Sequence, residues 1–376
     1  MIYLDNASTT KTSDIVNKTI ACALENDYFN PSSLHTQGFD VHKKIESARK
    51  KMLSCFGLSF YDLVFTGSAT ESNNLALSQA TRGKILVGAG EHPSVLEKAK
   101  ALKAEGRDVC FLPLDNNGCV DVEEFKKQMT KDVSLVSVQL VSNETGAVND
   151  IALLSKIAKL ANPKVIFHSD MVQGFGKVAC KLNSFGADLI SLSAHKICGP
   201  KGIGALVFLK SIKLKPIIWG GGQENGVRSG TENVPQILAF CEAALFASEN
   251  QKHLAEKASK TKSALIDLFK EKNIEFIVHG NGSPFILSVS FAGVRGETLM
   301  HALEGDGILV STGSACSSKK AGNKTLEAMG VQLDEIMGNV RVSFGFEELS
   351  NEQIEYVADC FAKRIGELKI DKGSKR

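Results

Sequence analysis

A lysine, an aspartate, a histidine and a cysteine, each set just beyond an apolar run, are the side chains of this sequence best suited to chemistry. Lys196 stands in SAHKICGPKGIGAL, directly after ADLISLS and before a Gly-Pro turn. A lysine held at a strand end, away from a solvated helix face, is partly desolvated. It loses proton affinity and becomes a nucleophilic amine suited to condensing with a carbonyl. An isolated turn lysine is ordinarily a surface residue, but Ser193, His195 and several glycines crowd this one. Asp170 closes KVIFHSD. A carboxylate there suits two jobs equally: holding the proton on a pyridinium nitrogen, or capping a helix.

Four further segments carry the other candidate groups. In TGSATESNN, Ser68, Ala69 and Thr70 lie where a strand turns into a helix, and free N–H groups at a helix start cradle phosphate. The run is neither a P-loop nor G-x-G-x-x-G, which weighs against a dinucleotide fold. His92, in GEHPSV, offers an imidazole that can stack on a ring and move protons near neutral pH, although a lone histidine after a strand is ordinarily structural. Asn143, in SNETGAV, offers an amide to a substrate carboxylate or a ring hydroxyl. Cys316 sits in STGSACSS among small polar residues. That setting suits a thiol on a polar loop better than a buried cysteine.

Each of these segments follows a predicted strand. From about Asp62 to Lys210, DLVFTGS, KILVGAGEH, DVCFLPLD, SLVSVQLV, KVIFHSDM, ADLISLSAH and IGALVFLK alternate with amphipathic connectors. That pattern predicts a mostly parallel sheet flanked by helices, with ligands bound beyond the carboxyl ends of its strands. A helical stretch from roughly Val234 to Lys272 bridges to a different texture. FIVHG, FILSVSFAG, ILVSTGSAC and VRVSFG, with two helical runs and a last helix from Ser350, read as a smaller α+β domain. The expected division is residues 15–250 as the large domain, with 1–14 and 251–376 forming the small domain that carries the Cys316 loop.

Bulk properties narrow the classes. The 376 residues carry a formal net charge of +2, which gives no electrostatic case for a nucleic-acid or membrane surface. MIYLDNASTT lacks the charged and apolar regions of a secretory signal, and no apolar run approaches the ~20 residues that span a bilayer. Besides Cys316 there are Cys22, Cys55, Cys110, Cys119, Cys180, Cys198, Cys241 and Cys360, scattered and without a C-x-x-C pair. Neither a disulfide framework nor a metal site is expected, and the cytoplasm is the expected compartment. Those eight read as small buried hydrophobes.

Taken in order, YLDNASTT, FTGSATESNN, EHPSVL, SNETGA, SDMVQGFGK, SAHKICGPKGIGAL, GGGQENGVRSGTEN and STGSACSS resemble the class V branch of the fold-type I pyridoxal-phosphate (PLP) enzymes. The nearest likeness is to the NifS-like cysteine desulfurases, and it runs over almost the whole chain. The resemblance implies an α/β fold of PLP-transferase type I. It also implies that PLP is carried on Lys196, with Asp170 at the ring nitrogen and Gln173 at the ring oxygen. Ala69, Thr70, Ser193 and His195 would hold the phosphate. His92 would stack on the ring and act as acid–base, and Asn143 and Arg341 would take the substrate carboxylate. Thr231 would reach the phosphate in a partner subunit, which implies a homodimer. In the implied reaction Lys196 takes the Cα proton of L-cysteine, the Cys316 thiolate attacks the substrate sulfur and leaves as a persulfide, and alanine is released. A sulfur-acceptor protein, such as an iron–sulfur scaffold, would then take the persulfide sulfur. Selenocysteine lyase and class V aminotransferase are alternatives with the same cofactor, and a non-catalytic sulfur-transfer scaffold is one without it. The sequence departs from the family pattern at SSKKAGNKTLEAMG after Cys316, at Phe346, at Cys198 and at Asn149-Asp150.

Overall fold

The continuous apolar runs of this chain need cover on both faces, and the fold supplies it. Ile85, Leu86 and Val87, successive residues that point to opposite faces, are all fully buried. The computed structural model describes residues 1–55, 57, 60–179, 185–280, 282–312 and 323–369. Its strands are β1 (Ile2–Tyr3), β2 (Tyr61–Thr66), β3 (Lys84–Gly88), β4 (Val109–Leu112), β5 (Val133–Ser137), β6 (Ile166–Asp170), β7 (Leu189–Ser193), β8 (Gly204–Leu209), β9 (Phe276–His279), β10 (Ile286–Phe291), β11 (Ile308–Leu309) and β12 (Asn339–Ser343). Its helices are α1 (Asp14–Asn26), α2 (Thr36–Cys55), α3 (Ala69–Leu77), α4 (Pro93–Ala104), α5 (Val122–Gln128), α6 (Ile151–Ala161), α7 (Val234–Glu271), α8 (Gly296–Gly305), α9 (Lys324–Ala328), α10 (Leu333–Met337) and α11 (Asn351–Leu368).

Seven strands form the main sheet in the order β2-β8-β7-β6-β5-β3-β4. Only β8 runs antiparallel to its neighbours, β2 and β7. The other six therefore point their carboxyl ends to one edge. Four consecutive neighbours along that edge, β7, β6, β5 and β3, end just before or at Lys196, Asp170, Asn143 and His92. Strands lie about 4.8 Å apart, so this order alone gathers residues scattered over a hundred positions of sequence. The turn after β2 adds Ser68–Thr70 at the same edge.

A second sheet, β12-β10-β9, is antiparallel. The N-terminal strand β1 pairs in parallel with β11, and Asp5 bridges to Ser343. The first residues of the chain thus dock on strands from its last quarter and carry Ala7 and Ser8 across the main sheet's edge. The long helix α7 packs on α1 and α2 with one half and on α11 with the other. Phe269 on α7 meets Phe291 and Phe361 at ring-centroid distances of 5.9 and 5.1 Å, in an apolar core continuous with that of the main sheet. No helix among the described residues is long and apolar enough to cross a membrane.

One buried ion pair ties the glycine-rich segment near Thr231 to the main sheet. Arg49 grips Glu224 with both terminal nitrogens, at 2.8 and 3.1 Å, and the same carboxylate accepts from the backbone N–H of Phe65 at 2.9 Å. Both side chains are buried. Glu224→Gln leaves the guanidinium with only the half-exposed Glu46 as a counter-charge. The expected cost is about 3 kcal/mol, read as a melting temperature several degrees lower by calorimetry.

Candidate active site

The crowding around Lys196 is real. After β7 the chain makes a single 3-10 turn over Ala194–Lys196, and the amine is stretched under the N-terminal segment. Its Nζ donates to the carbonyls of Ala7 at 2.5 Å and Ser8 at 2.7 Å. Burial, followed by the repulsion of Arg341, lowers its pKa to about 8. A useful fraction of this amine is therefore neutral near physiological pH.

Asp170 ends β6 with its carboxylate buried. Oδ1 accepts from the N–H of Val172 at 3.0 Å, and Oδ2 accepts from Asn73 at 2.7 Å. The turn-capping role and the site role are thus both available to one carboxylate. Gln173 follows on the next turn, where its Nε2 donates to Ala7 O at 2.8 Å and its Oε1 accepts from Lys177 at 3.0 Å. Lys177 is a second buried amine, pulled down to about 7 by burial and then by Lys196.

Ser68 caps α3, its hydroxyl accepting from Glu71 N at 3.3 Å. Helix geometry leaves the N–H groups of Ala69 and Thr70 without an intrahelical partner. Gly204 makes this cradle possible. A Cβ there would lie 2.6 Å from the Ser68 carbonyl carbon and 2.7 Å from Ala69 N, so only glycine lets β8 run so close beneath the turn. Ser193 is buried beside it, and His195 bonds Thr9 at 3.1 Å. Burial and Lys196 hold the His195 imidazole down at about 4, so it faces the cradle uncharged.

Arg341, on β12, arrives from the second sheet. Its guanidinium reaches Asp5 at 3.1 Å, Ser8 at 2.8 Å and the Asn143 carbonyl at 2.8 Å. Its Nε is buried without a partner, which is costly unless something else uses it. Asn143 does not offer its amide freely. That amide donates to Glu144 Oε1 at 2.7 Å, and Glu144 in turn accepts from Asn323 at 3.1 Å.

One cavity of about 410 Å³ collects this set. Lys196, Asp170, His92, Ala69, Thr70, Asn143, Gln173, Ser193, His195 and Arg341 all line it, together with Asn73, Ser94 and Glu144. Thr231 does not. It lines a separate cavity of about 190 Å³ with Arg228 and Gly202. Cys316 lies outside the described residues, as does Cys180. None of the described free cysteines lines the main cavity.

The donor set fits PLP group by group. An amine of reduced basicity suits the aldehyde, and a buried carboxylate suits the ring nitrogen. A helix start with hydroxyls suits the phosphate, and the unpaired Arg341 Nε suits a substrate carboxylate. Sequence reading passed over Asn73, Ser94, Glu144 and Lys177. All four lay inside quoted motifs, TESNN, EHPS, SNETGA and SDMVQGFGK, but such amides, hydroxyls and charged groups look ordinary until their partners are seen.

The profile of the aminotransferase class-V family matches residues 2–357. A protein of Dictyoglomus turgidum described as cysteine desulfurase IscS is 35% identical over 378 residues, which span 98% of this chain and 95% of that protein. A solved structure described as a NifS-like protein superposes with a TM-score of 0.90 at 32% identity, covering 98% of this chain and all of that one. A second, described as SspA in complex with cysteine, superposes with a TM-score of 0.80 at 27% identity, covering 93% of this chain and all of that one.

Proposed function

The chain belongs to the aminotransferase class-V family, and we propose that its cavity draws sulfur from L-cysteine and hands it to Cys316. The protein is a PLP-dependent cysteine desulfurase, like the relatives it matches over nearly its full length. The observation that carries the reading is the placing of Lys196 and Asp170 at neighbouring strand ends in one cavity, with the α3 start beside them.

Bound PLP supplies an aldehyde that condenses with amines and a ring that takes up the electron pair left on an α-carbon. The chain's own residues do the rest. Lys196 would hold the cofactor, and its lowered basicity leaves part of the free amine neutral and able to take the α-proton. Asp170 would keep a proton on the ring nitrogen. Gln173, which lines the cavity, would meet the ring oxygen on giving up its bond to Ala7. The N–H groups of Ala69 and Thr70, with Ser193 and His195, would hold the phosphate, and His92 would flank the ring. Arg341 would orient the substrate carboxylate through its unpaired Nε, while Asn143, its amide held by Glu144, would act through the carbonyl that holds the Arg341 guanidinium. Arg341→Ala is expected to raise KM for L-cysteine about ten- to a hundredfold with a smaller change in kcat, measured by steady-state alanine release.

Sulfur transfer balances without an outside oxidant. The Cys316 thiolate attacks the substrate sulfur, the C–S bond breaks, and the carbon fragment gains a proton and leaves as alanine. Cys316 keeps a persulfide, which a protein acceptor then takes. Support for Cys316 comes from its small polar sequence setting and from the thiols elsewhere. Burial pushes Cys119 up to about 11 and raises Cys198, and Cys241 is buried.

Exposed apolar side chains at Leu34, Phe39 and Trp219 support a homodimer that covers them, with Thr231 reaching across to the partner's cofactor. A cytoplasmic location fits the free thiols. Incubation with L-cysteine and a reductant should yield alanine and sulfide in equal amounts. A keto acid in their place would indicate an aminotransferase, and no product at all would indicate a scaffold.

A further inference from the structure

His92 caps the helix whose start it occupies. It stands one residue before α4, and its Nδ1 accepts from the backbone N–H of Ser94 at 3.1 Å. A nitrogen that accepts from an amide N–H must carry a lone pair, so it carries no proton. The Ser94 hydroxyl also lies 2.8 Å from Nδ1. Because Nδ1 carries no proton, the hydroxyl must be the donor of this pair, and its oxygen accepts from Asn73 Nδ2 at 2.8 Å. The orientation of the Asn73 amide is fixed in turn. Its Nδ2 also donates to Asp170 Oδ2 at 2.7 Å. Turning the amide over would set an oxygen against a carboxylate, while Oδ1 as placed has no partner to lose. A single line of hydrogen bonds thus runs Asp170–Asn73–Ser94–His92, with every donor assigned.

We propose that Asn73 and Ser94 are positioning residues that hold His92 as the neutral Nε2–H tautomer, so that its free edge offers a hydrogen-bond donor to the cavity rather than a base. This deepens the desulfurase reading and rests on it only for the identity of what the donor meets. Nε2 already holds its proton, and Nδ1 can gain one only by breaking both bonds to Ser94. An Nε2–H next to the cavity is suited to a sulfur bearing negative charge. It is not suited to removing a proton from an incoming thiol, so the expected acid–base role of His92 narrows to donation. Partial desolvation in the cavity wall and the amine of Lys196 oppose a charged ring, while Asp170 and Glu144 favour one. The net shift lowers the pKa, and the positive end of α4 works in the same direction.

Long-range proton–nitrogen NMR of the PLP-loaded protein, labelled with nitrogen-15 in histidine, tests this whether or not sulfur is released. His92 is assigned by the signals lost in His92→Gln. At neutral pH the expected pattern is a protonated Nε2 and an unprotonated, hydrogen-bonded Nδ1. Ser94→Ala should move the Nδ1 resonance toward that of a free unprotonated nitrogen, because one of its two donors is gone. Asn73→Ala should move it the same way by less. Ser94→Pro, tolerable in a first turn where the N–H has no helical partner, should give a mixture of tautomers. A wild-type His92 found as the Nδ1–H tautomer or as the imidazolium would overturn the proposal. So would a Ser94→Ala variant with unmoved nitrogen shifts.

Discussion

Lys196→Ala is expected to leave a folded protein that releases alanine from L-cysteine at least roughly 10³-fold more slowly and lacks the near-visible absorbance band of the cofactor. Two losses combine. The alanine side chain gives the aldehyde no covalent anchor, and it offers no amine to take the α-proton. The structure gives little reason for the variant to misfold. Lys196 is on a 3-10 turn, its two acceptors are the backbone carbonyls of Ala7 and Ser8 in the N-terminal segment, and removing a desolvated amine relieves a burial cost. Lys196→Arg separates charge from chemistry. It restores a cation near Ala7 and Ser8 but cannot form the covalent link, so it should stay as inactive as the alanine variant. Spectrophotometry of both variants, with and without added PLP, checks the claim.

Cys316→Ala carries the second large effect. Without a thiol to receive it, the substrate sulfur has no partner for bond exchange, and sulfide release should fall roughly 10²-fold or more. The cofactor's absorbance should remain, because no residue that holds PLP is touched. Mass spectrometry after brief exposure to L-cysteine should find a single added sulfur on the wild-type Cys316 peptide and none in the variant. The same addition on Cys110 or Cys22, the half-buried and exposed thiols, would move the acceptor elsewhere. Wild-type sulfide release by Cys316→Ala would also remove that residue from the mechanism.

How much of this was legible beforehand depends on the kind of information each residue carries. Asp170, Lys196, Asn143 and His92 were readable as a group because a strand end is a sequence feature, and the carboxyl-edge rule turns separate strand ends into one place. The order β7-β6-β5-β3 then seats them side by side. The antiparallel course of β8 was not readable, since periodicity does not report strand direction. Neither was the path of the N-terminal segment. Nothing in YLDNASTT alone says that the carbonyls of Ala7 and Ser8 will hold the Lys196 amine, because that follows from β1 pairing with β11 three hundred residues away. The line from Asp170 to His92 was hidden for a similar reason. Asn73 and Ser94 are unremarkable residues near the starts of two different helices, and they meet only because α3 and α4 pack together. Arg341 was named through resemblance. The structure supplies its physical setting: a buried guanidinium held by Asp5, Ser8 and the Asn143 carbonyl, with one nitrogen left over.

The account stands on a covalent bond between Lys196 and the aldehyde of its cofactor. Reducing the loaded protein with borohydride makes that bond permanent, and digestion followed by mass spectrometry locates it. The expected result is one pyridoxyl-bearing peptide containing SAHKICGPK, modified at Lys196. The label on Lys177, the other buried amine of lowered basicity beside the cavity, or on no lysine at all, would contradict it.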